Sequence, residues 1–115
     1  GEARITTAGN MPSKYVIHTV GPIYKDGKKG EAKLLYNAYY NSLRLAKEYN
    51  LKTIAFPSIS TGVYNYPKDD AGKIALNAIM DFIDKEDFIE EVHFILFSDN
   101  DYNIYKELLE TIFDI

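Results

Sequence analysis

A chain of 115 residues that is 46% apolar and 26% charged has the composition of a single compact domain, residues 1–115, large enough to bury a core. Seven Gly and four Pro exclude the collagenous and disordered classes; no apolar stretch approaches the roughly 20 residues of a membrane span. Zero Cys excludes disulfide frameworks, thiol nucleophiles and Cys-based zinc sites; seventeen acidic against thirteen basic residues, a net charge of −4, exclude tracking of a nucleic-acid backbone by bulk electrostatics.

The first residues, Gly1-Glu2-Ala3-Arg4, carry neither an initiator Met nor the apolar core of a secretory signal, so sequence is expected upstream of them. With no cysteine, a reducing, cytoplasmic compartment is the default. Ala3 to Thr7 is short and β-branched, Lys14 to Val20 is rich in strand formers, and Gly9-Asn10-Met11-Pro12 separates them as a turn. So short a loop predicts an antiparallel pair. Gly21-Pro22 stops the second strand, and Lys25 to Lys29 is a solvated approach to the first helix. From about Gly30 to Tyr49 the set Leu35, Ala38, Tyr39, Ser42, Leu43, Ala46 and Tyr49 recurs at three and four residues, which predicts a helix with one buried face.

Thr53 to Phe56 reads as an apolar strand covered on both faces, the pattern of a parallel central strand. Pro67 opens a second helix with Asp69 and Asp70 in its first turn and an apolar face of Ala71, Ile74, Ala75, Ala78, Ile79, Phe82 and Ile83. Glu91 to Phe97 is another buried strand. Ser98-Asp99-Asn100-Asp101 caps a last helix carrying Tyr105, Leu108, Leu109, Ile112 and Phe113. The order β-β-α-β-α-β-α predicts an α/β fold, three layers α/β/α around a mixed sheet, with a right-handed crossover in its second half.

Dinucleotide, P-loop and metalloprotease motifs are absent. His18 and His93 sit apart in strand patterns and read as structural, so no metal and no cofactor is assigned. The informative stretch is Phe56-Pro57-Ser58-Ile59-Ser60-Thr61-Gly62-Val63-Tyr64-Asn65-Tyr66-Pro67, between the carboxyl end of a strand and the start of a helix. Open α/β sheets place ligands there. The small residues Ser60, Thr61 and Gly62 let backbone N–H groups converge on an anion, to which the helix adds its positive end, while Tyr64 and Tyr66 are placed to cover a sugar. Such a nest holds a diphosphate on a protein of negative net charge. The same residues also fit a plain turn whose hydroxyls bond locally, and the loop alone leaves both readings open.

Phe56-Pro-Ser-Ile-Ser-Thr-Gly-Val-Tyr64 with Tyr66-Pro-Lys-Asp-Asp-Ala71, preceded by Gly1-Glu-Ala-Arg-Ile-Thr6 and Lys14-Tyr-Val-Ile-His-Thr-Val-Gly-Pro22, resembles the macro domains that bind ADP-ribose. The resemblance covers essentially the whole chain in the right order. It implies that the N–H groups of Ser60, Thr61, Gly62, Val63 and Tyr64 cradle the diphosphate, that the Tyr64 ring packs near the distal ribose, and that Phe97 stacks near the adenine. As a residue, Phe97 also reads as an ordinary core Phe. Asn65 stands where many members have Gly, and Asn is the next-best residue for a left-handed backbone.

The resemblance further implies an N-terminal truncation. Macro domains begin with about a third more chain, including a first phosphate loop and a strand between those matching Lys14 to Val20 and Thr53 to Ser58. On that reading the inner strands pair directly, borrow a strand from another copy as a strand-exchanged dimer or other homo-oligomer, or take one from a separate chain. The function expected is recognition of ADP-ribose or an ADP-ribosylated molecule, with ADP-ribosyl hydrolysis in the complete protein and catalytic residues unassigned. The alternative is a non-catalytic scaffold that self-associates or binds another macromolecule. Asp69 and Asp70 read as helix-dipole partners, and Lys25, Lys28 and Lys29 as a solvated loop, which leaves nucleic acid without a basic stripe.

Overall fold

The computed structural model describes residues 1–7, 9 and 14–113. Seven elements follow one another: β1 (Ala3–Thr7), β2 (Tyr15–Thr19), α1 (Glu31–Glu48), β3 (Thr53–Pro57), α2 (Lys68–Lys85), β4 (Glu91–Ile95) and α3 (Asp99–Phe113). These are the expected four strands and three helices, in the expected order. The turn at Gly9-Asn10-Met11-Pro12 lies, Gly9 apart, outside the described residues, as do the side chains of Ile112 and Phe113.

Helix α1 forms because Leu35, Ala38, Tyr39, Ser42, Leu43 and Ala46 share one stripe, and all six are buried. Its end is closed by Asn50, left-handed at φ 58°. The Asn50 N–H donates to Lys47 O (3.0 Å) and the Leu51 N–H to Ala46 O (2.8 Å), so two orphan carbonyls are satisfied. Tyr49, the expected last member of the stripe, sits at this cap and is exposed instead. In α2, Pro67 is the N-cap rather than the first helical residue. Ala71, Ala75, Ala78, Ile79 and Phe82 are buried as expected, with Leu76 added. Ile83, one turn beyond Ile79 on the same stripe, is 43% exposed in the last turn of the helix. Tyr39, Phe82, Leu35 and Leu43 are the largest fully buried apolar side chains, and burying a Phe or Leu stabilises the fold by about 1.5–3 kcal/mol.

Strands β1 and β2 pair antiparallel, Ala3 opposite Thr19 and Thr7 opposite Tyr15. Strands β3 and β4 pair parallel, Thr53 opposite Glu91 and Pro57 opposite Ile95. Both senses of the expected mixed sheet are therefore present, in two two-stranded halves. Strands β2 and β3 do not pair directly: residues of both, with Ser42 and Ala46 of α1, line a cleft of about 1440 Å³.

The apolar run at β3 predicts cover on both faces, and the structure provides it on one. Ile54, Phe56, Val92 and Phe94 pack toward the core, where Tyr39 of α1 lies edge-on to Phe56 at 4.9 Å and Tyr105 of α3 lies 4.8 Å from Phe94. Thr53, Ala55, Pro57, Glu91, His93 and Ile95 are exposed. Side chains alternate along a strand, so once all three helices pack on the Phe56 face, every second residue turns to the other. Among the described residues no helix covers that second face.

Candidate anion-binding site

Residues 58–67 link the carboxyl end of β3 to α2. Because Pro57 stands opposite Ile95, the exit of β4, and Phe97 with it, lies at the same end of the parallel pair. The loop is held at its root by two phenols. Tyr39 Oη accepts the Ile59 N–H (3.0 Å) and donates to Pro57 O (3.3 Å), and Tyr105 Oη lies 3.2 Å from Ser58 Oγ. Thr61 Oγ1 turns back to Ser58, 2.9 Å from its Oγ and 3.0 Å from its carbonyl.

Ser60 then takes φ 67° and Asn65 φ 59°, so the two left-handed residues bracket the loop, and Asn65 adopts the conformation expected of it. The Asn65 N–H donates to Gly62 O (3.0 Å), the Tyr66 N–H to Ser60 O (2.9 Å) and the Tyr24 N–H to Tyr64 O (2.9 Å). By contrast, the N–H groups of Ser60, Thr61, Gly62, Val63 and Tyr64 donate to no acceptor among the described residues. Consecutive unpaired amides at a strand-to-helix turn are groups of the kind that can meet an anion. A Cβ built on Gly62 meets nothing within 4 Å, so the space over it is open on the protein side. One built on Gly21 collides with Ser60 Oγ, so glycine there lets the loop sit close above the exit of β2.

A neighbouring loop shows the opposite state. The Glu31 carboxylate accepts N–H bonds from Lys25 (2.9 Å), Asp26 (3.2 Å), Gly27 (3.0 Å) and Lys29 (2.6 Å). The amide of Lys25 above all, with those of Lys29 and Gly27 and against the opposing effect of burial, lowers the Glu31 carboxyl from 4.5 to about 2. That loop carries its own anion. No side-chain carboxylate among the described residues accepts from the Ser60–Tyr64 amides.

Val63 is 90% exposed and Tyr64 half-buried beside the nest. Phe97, 88% exposed and outside β4, is not a core residue. Tyr66 corrects the expectation that it covers a sugar: it is buried, with its ring 4.8 Å from that of Tyr24. His18 and His93 are exposed on their strands, 2.9 Å from Thr6 Oγ1 and Glu91 Oε2. Asp69 and Asp70 are exposed in the first turn of α2, and Ser98 Oγ caps α3 by accepting the Asp101 N–H (3.1 Å). Glu31, Tyr39 and Tyr105 escape the sequence reading as site residues. Tyr39 and Tyr105 lie on helical stripes indistinguishable from core, and Glu31 would have been legible only as an acid at a helix start behind a Gly-rich loop.

The macro domain family model matches residues 1–75. A macro domain-containing protein of Caldanaerobacter subterraneus subsp. tengcongensis is 54% identical over 110 residues, 96% of this chain and 62% of the relative. An O-acetyl-ADP-ribose deacetylase of Escherichia fergusonii is 46% identical over 109 residues, 95% of this chain and 62% of the relative. The solved Oceanobacillus iheyensis macrodomain with ADP superposes with a TM-score of 0.93 at 44% identity, covering 98% of this chain and 59% of that one. This chain thus spans about 62% of the length of the curated relatives it matches.

Proposed function

This chain belongs to the macro domain family, and from that premise we propose that it recognises ADP-ribose or an ADP-ribosylated molecule at the Ser60–Tyr64 loop. The observation that carries the reading is the run of five backbone N–H groups, Ser60, Thr61, Gly62, Val63 and Tyr64, without an acceptor among the described residues. Charge-assisted hydrogen bonds from fixed amides hold a diphosphate without requiring a positive protein. Tyr64 then lies toward the distal ribose, and the exposed Phe97 offers a face to the adenine. Support comes from relatives named O-acetyl-ADP-ribose deacetylases and from a solved Trypanosoma brucei macrodomain in complex with ADP-ribose, 31% identical with a TM-score of 0.85. ADP-ribosyl hydrolysis by the whole protein belongs to the same proposal, with no catalytic residue assigned. The cysteine-free composition supports a cytoplasmic setting.

Titration of ADP-ribose into the 115-residue chain, beside a Gly62→Glu variant, tests the site. The glutamate occupies open space, so the variant folds, yet it sets a carboxylate among the amides. A dissociation constant on the order of micromolar is expected, weakened at least roughly tenfold in the variant with Tm unchanged. Equal affinity in the two proteins refutes the site. Self-association across the open edges of β2 and β3 is a second reading favoured by the cleft, and a strictly monomeric solution mass rejects it.

A further inference from the structure

Two buried phenols from different helices meet the three residues at the root of the Ser60–Tyr64 loop. Tyr39 lies on α1 and is completely buried, its ring wedged edge-on against Phe56 of β3, and its hydroxyl engages Ile59 N–H and Pro57 O together. Tyr105 lies on α3 and is buried against Phe94 of β4, and its hydroxyl meets Ser58 Oγ, which Thr61 Oγ1 also reaches. A hydroxyl that accepts from one peptide and donates to another nearby fixes the direction of both. The peptides so fixed, Pro57–Ser58 and Ser58–Ile59, lead by one more peptide into Ser60, which takes the left-handed region, where a residue with a Cβ stays only if its surroundings hold it.

From this we infer that Tyr39 and Tyr105 are positioning residues for the anion nest: they hold the Pro57–Ile59 root so that the five amides of Ser60 to Tyr64 point at one place before any ligand arrives. The inference rests on the diphosphate reading of the loop. Neither hydroxyl touches the ligand; both act through the backbone. Burial pushes the Tyr39 phenol well above its ordinary value, which keeps the proton that Pro57 O accepts in place at any physiological pH. Preorganised donors bind an anion more tightly than equally many donors that must first be ordered, so loosening the root is felt as lost affinity.

The test compares Tyr39→Phe, which keeps the ring and deletes the hydroxyl, with Ser42→Ala, which deletes another buried α1 hydroxyl, the one donating to Ala38 O at 2.7 Å away from the loop. Tyr105→Phe is the second variant should Tyr39→Phe fail to fold. Affinities for ADP-ribose and for inorganic pyrophosphate, Tm, and amide exchange at Asn65 and Tyr66, whose N–H groups donate to Gly62 O and Ser60 O across the loop, are measured on each. Expected are a loss of roughly three- to tenfold in Tyr39→Phe, equal for both ligands, with faster exchange at Asn65 and Tyr66. Ser42→Ala is expected to lower Tm while leaving affinity and loop exchange unchanged. Tyrosine variants that match Ser42→Ala in affinity and exchange overturn the inference. Failure of the wild-type chain to bind either ligand refutes the site itself, and loop exchange still decides whether the phenols brace the root.

Discussion

Replacing Phe97 by alanine separates recognition from folding, because this ring is 88% exposed and lies outside β4. Truncating a side chain with so little packing changes stability by no more than about 0.5 kcal/mol. If the ring stacks on an adenine, its removal costs about 1–3 kcal/mol of binding, which is roughly a 5- to 150-fold rise in the dissociation constant. Calorimetric titration with ADP-ribose, AMP and pyrophosphate in parallel reads this directly. Pyrophosphate has no base, so its affinity is expected to stay at the wild-type value while those of ADP-ribose and AMP fall by a common factor. An unchanged ADP-ribose affinity, or an equal loss for pyrophosphate, refutes the adenine assignment. A large fall in Tm would instead make Phe97 a packing residue.

Phe82→Ala removes a fully buried ring between α1 and α2 and is expected to cost about 3–5 kcal/mol, a large part of an ordinary domain's stability, measured by urea denaturation. Glu31→Gln removes the charge that holds the 25–29 amides. Since the folded carboxyl titrates near 2 and its ordinary value is 4.5, the wild-type stabilisation is complete above about 4.5 and disappears as pH falls toward 2. The variant is therefore less stable at pH 7, and urea midpoints of the two proteins converge on acidification across that window. Asp69→Asn with Asp70→Asn costs about 0.5 kcal/mol of helix stability and leaves ADP-ribose binding undiminished, since both side chains are exposed helix-dipole partners; a lost affinity in the titration counts against that role.

Much of this protein is local and was legible in its sequence. The stripe from Leu35 to Ala46 and the one from Ala71 to Phe82 are periodicities of single helices, and the structure buries them where the period places them. The strand order and the antiparallel and parallel pairings follow from connection length. The loop from Ser58 to Tyr66 was marked by its small residues, and Asn65 by its tolerance of a left-handed backbone. Tertiary structure alone decided the rest, because those features depend on which groups meet. Whether an amide is free depends on every acceptor around it: Glu31 saturates the 25–29 loop, and nothing described saturates Ser60 to Tyr64. The exposed face of Ala55 and His93 reflects helices gathering on one side, which the apolar run at β3 could not announce. Tyr66 went to the core and Phe97 to solvent although both are aromatic residues at strand-to-helix turns, since burial is fixed by the packing of distant elements and not by residue type. Tyr39 and Tyr105 reached the loop root from 18 and 47 residues away, a meeting visible only in the folded chain.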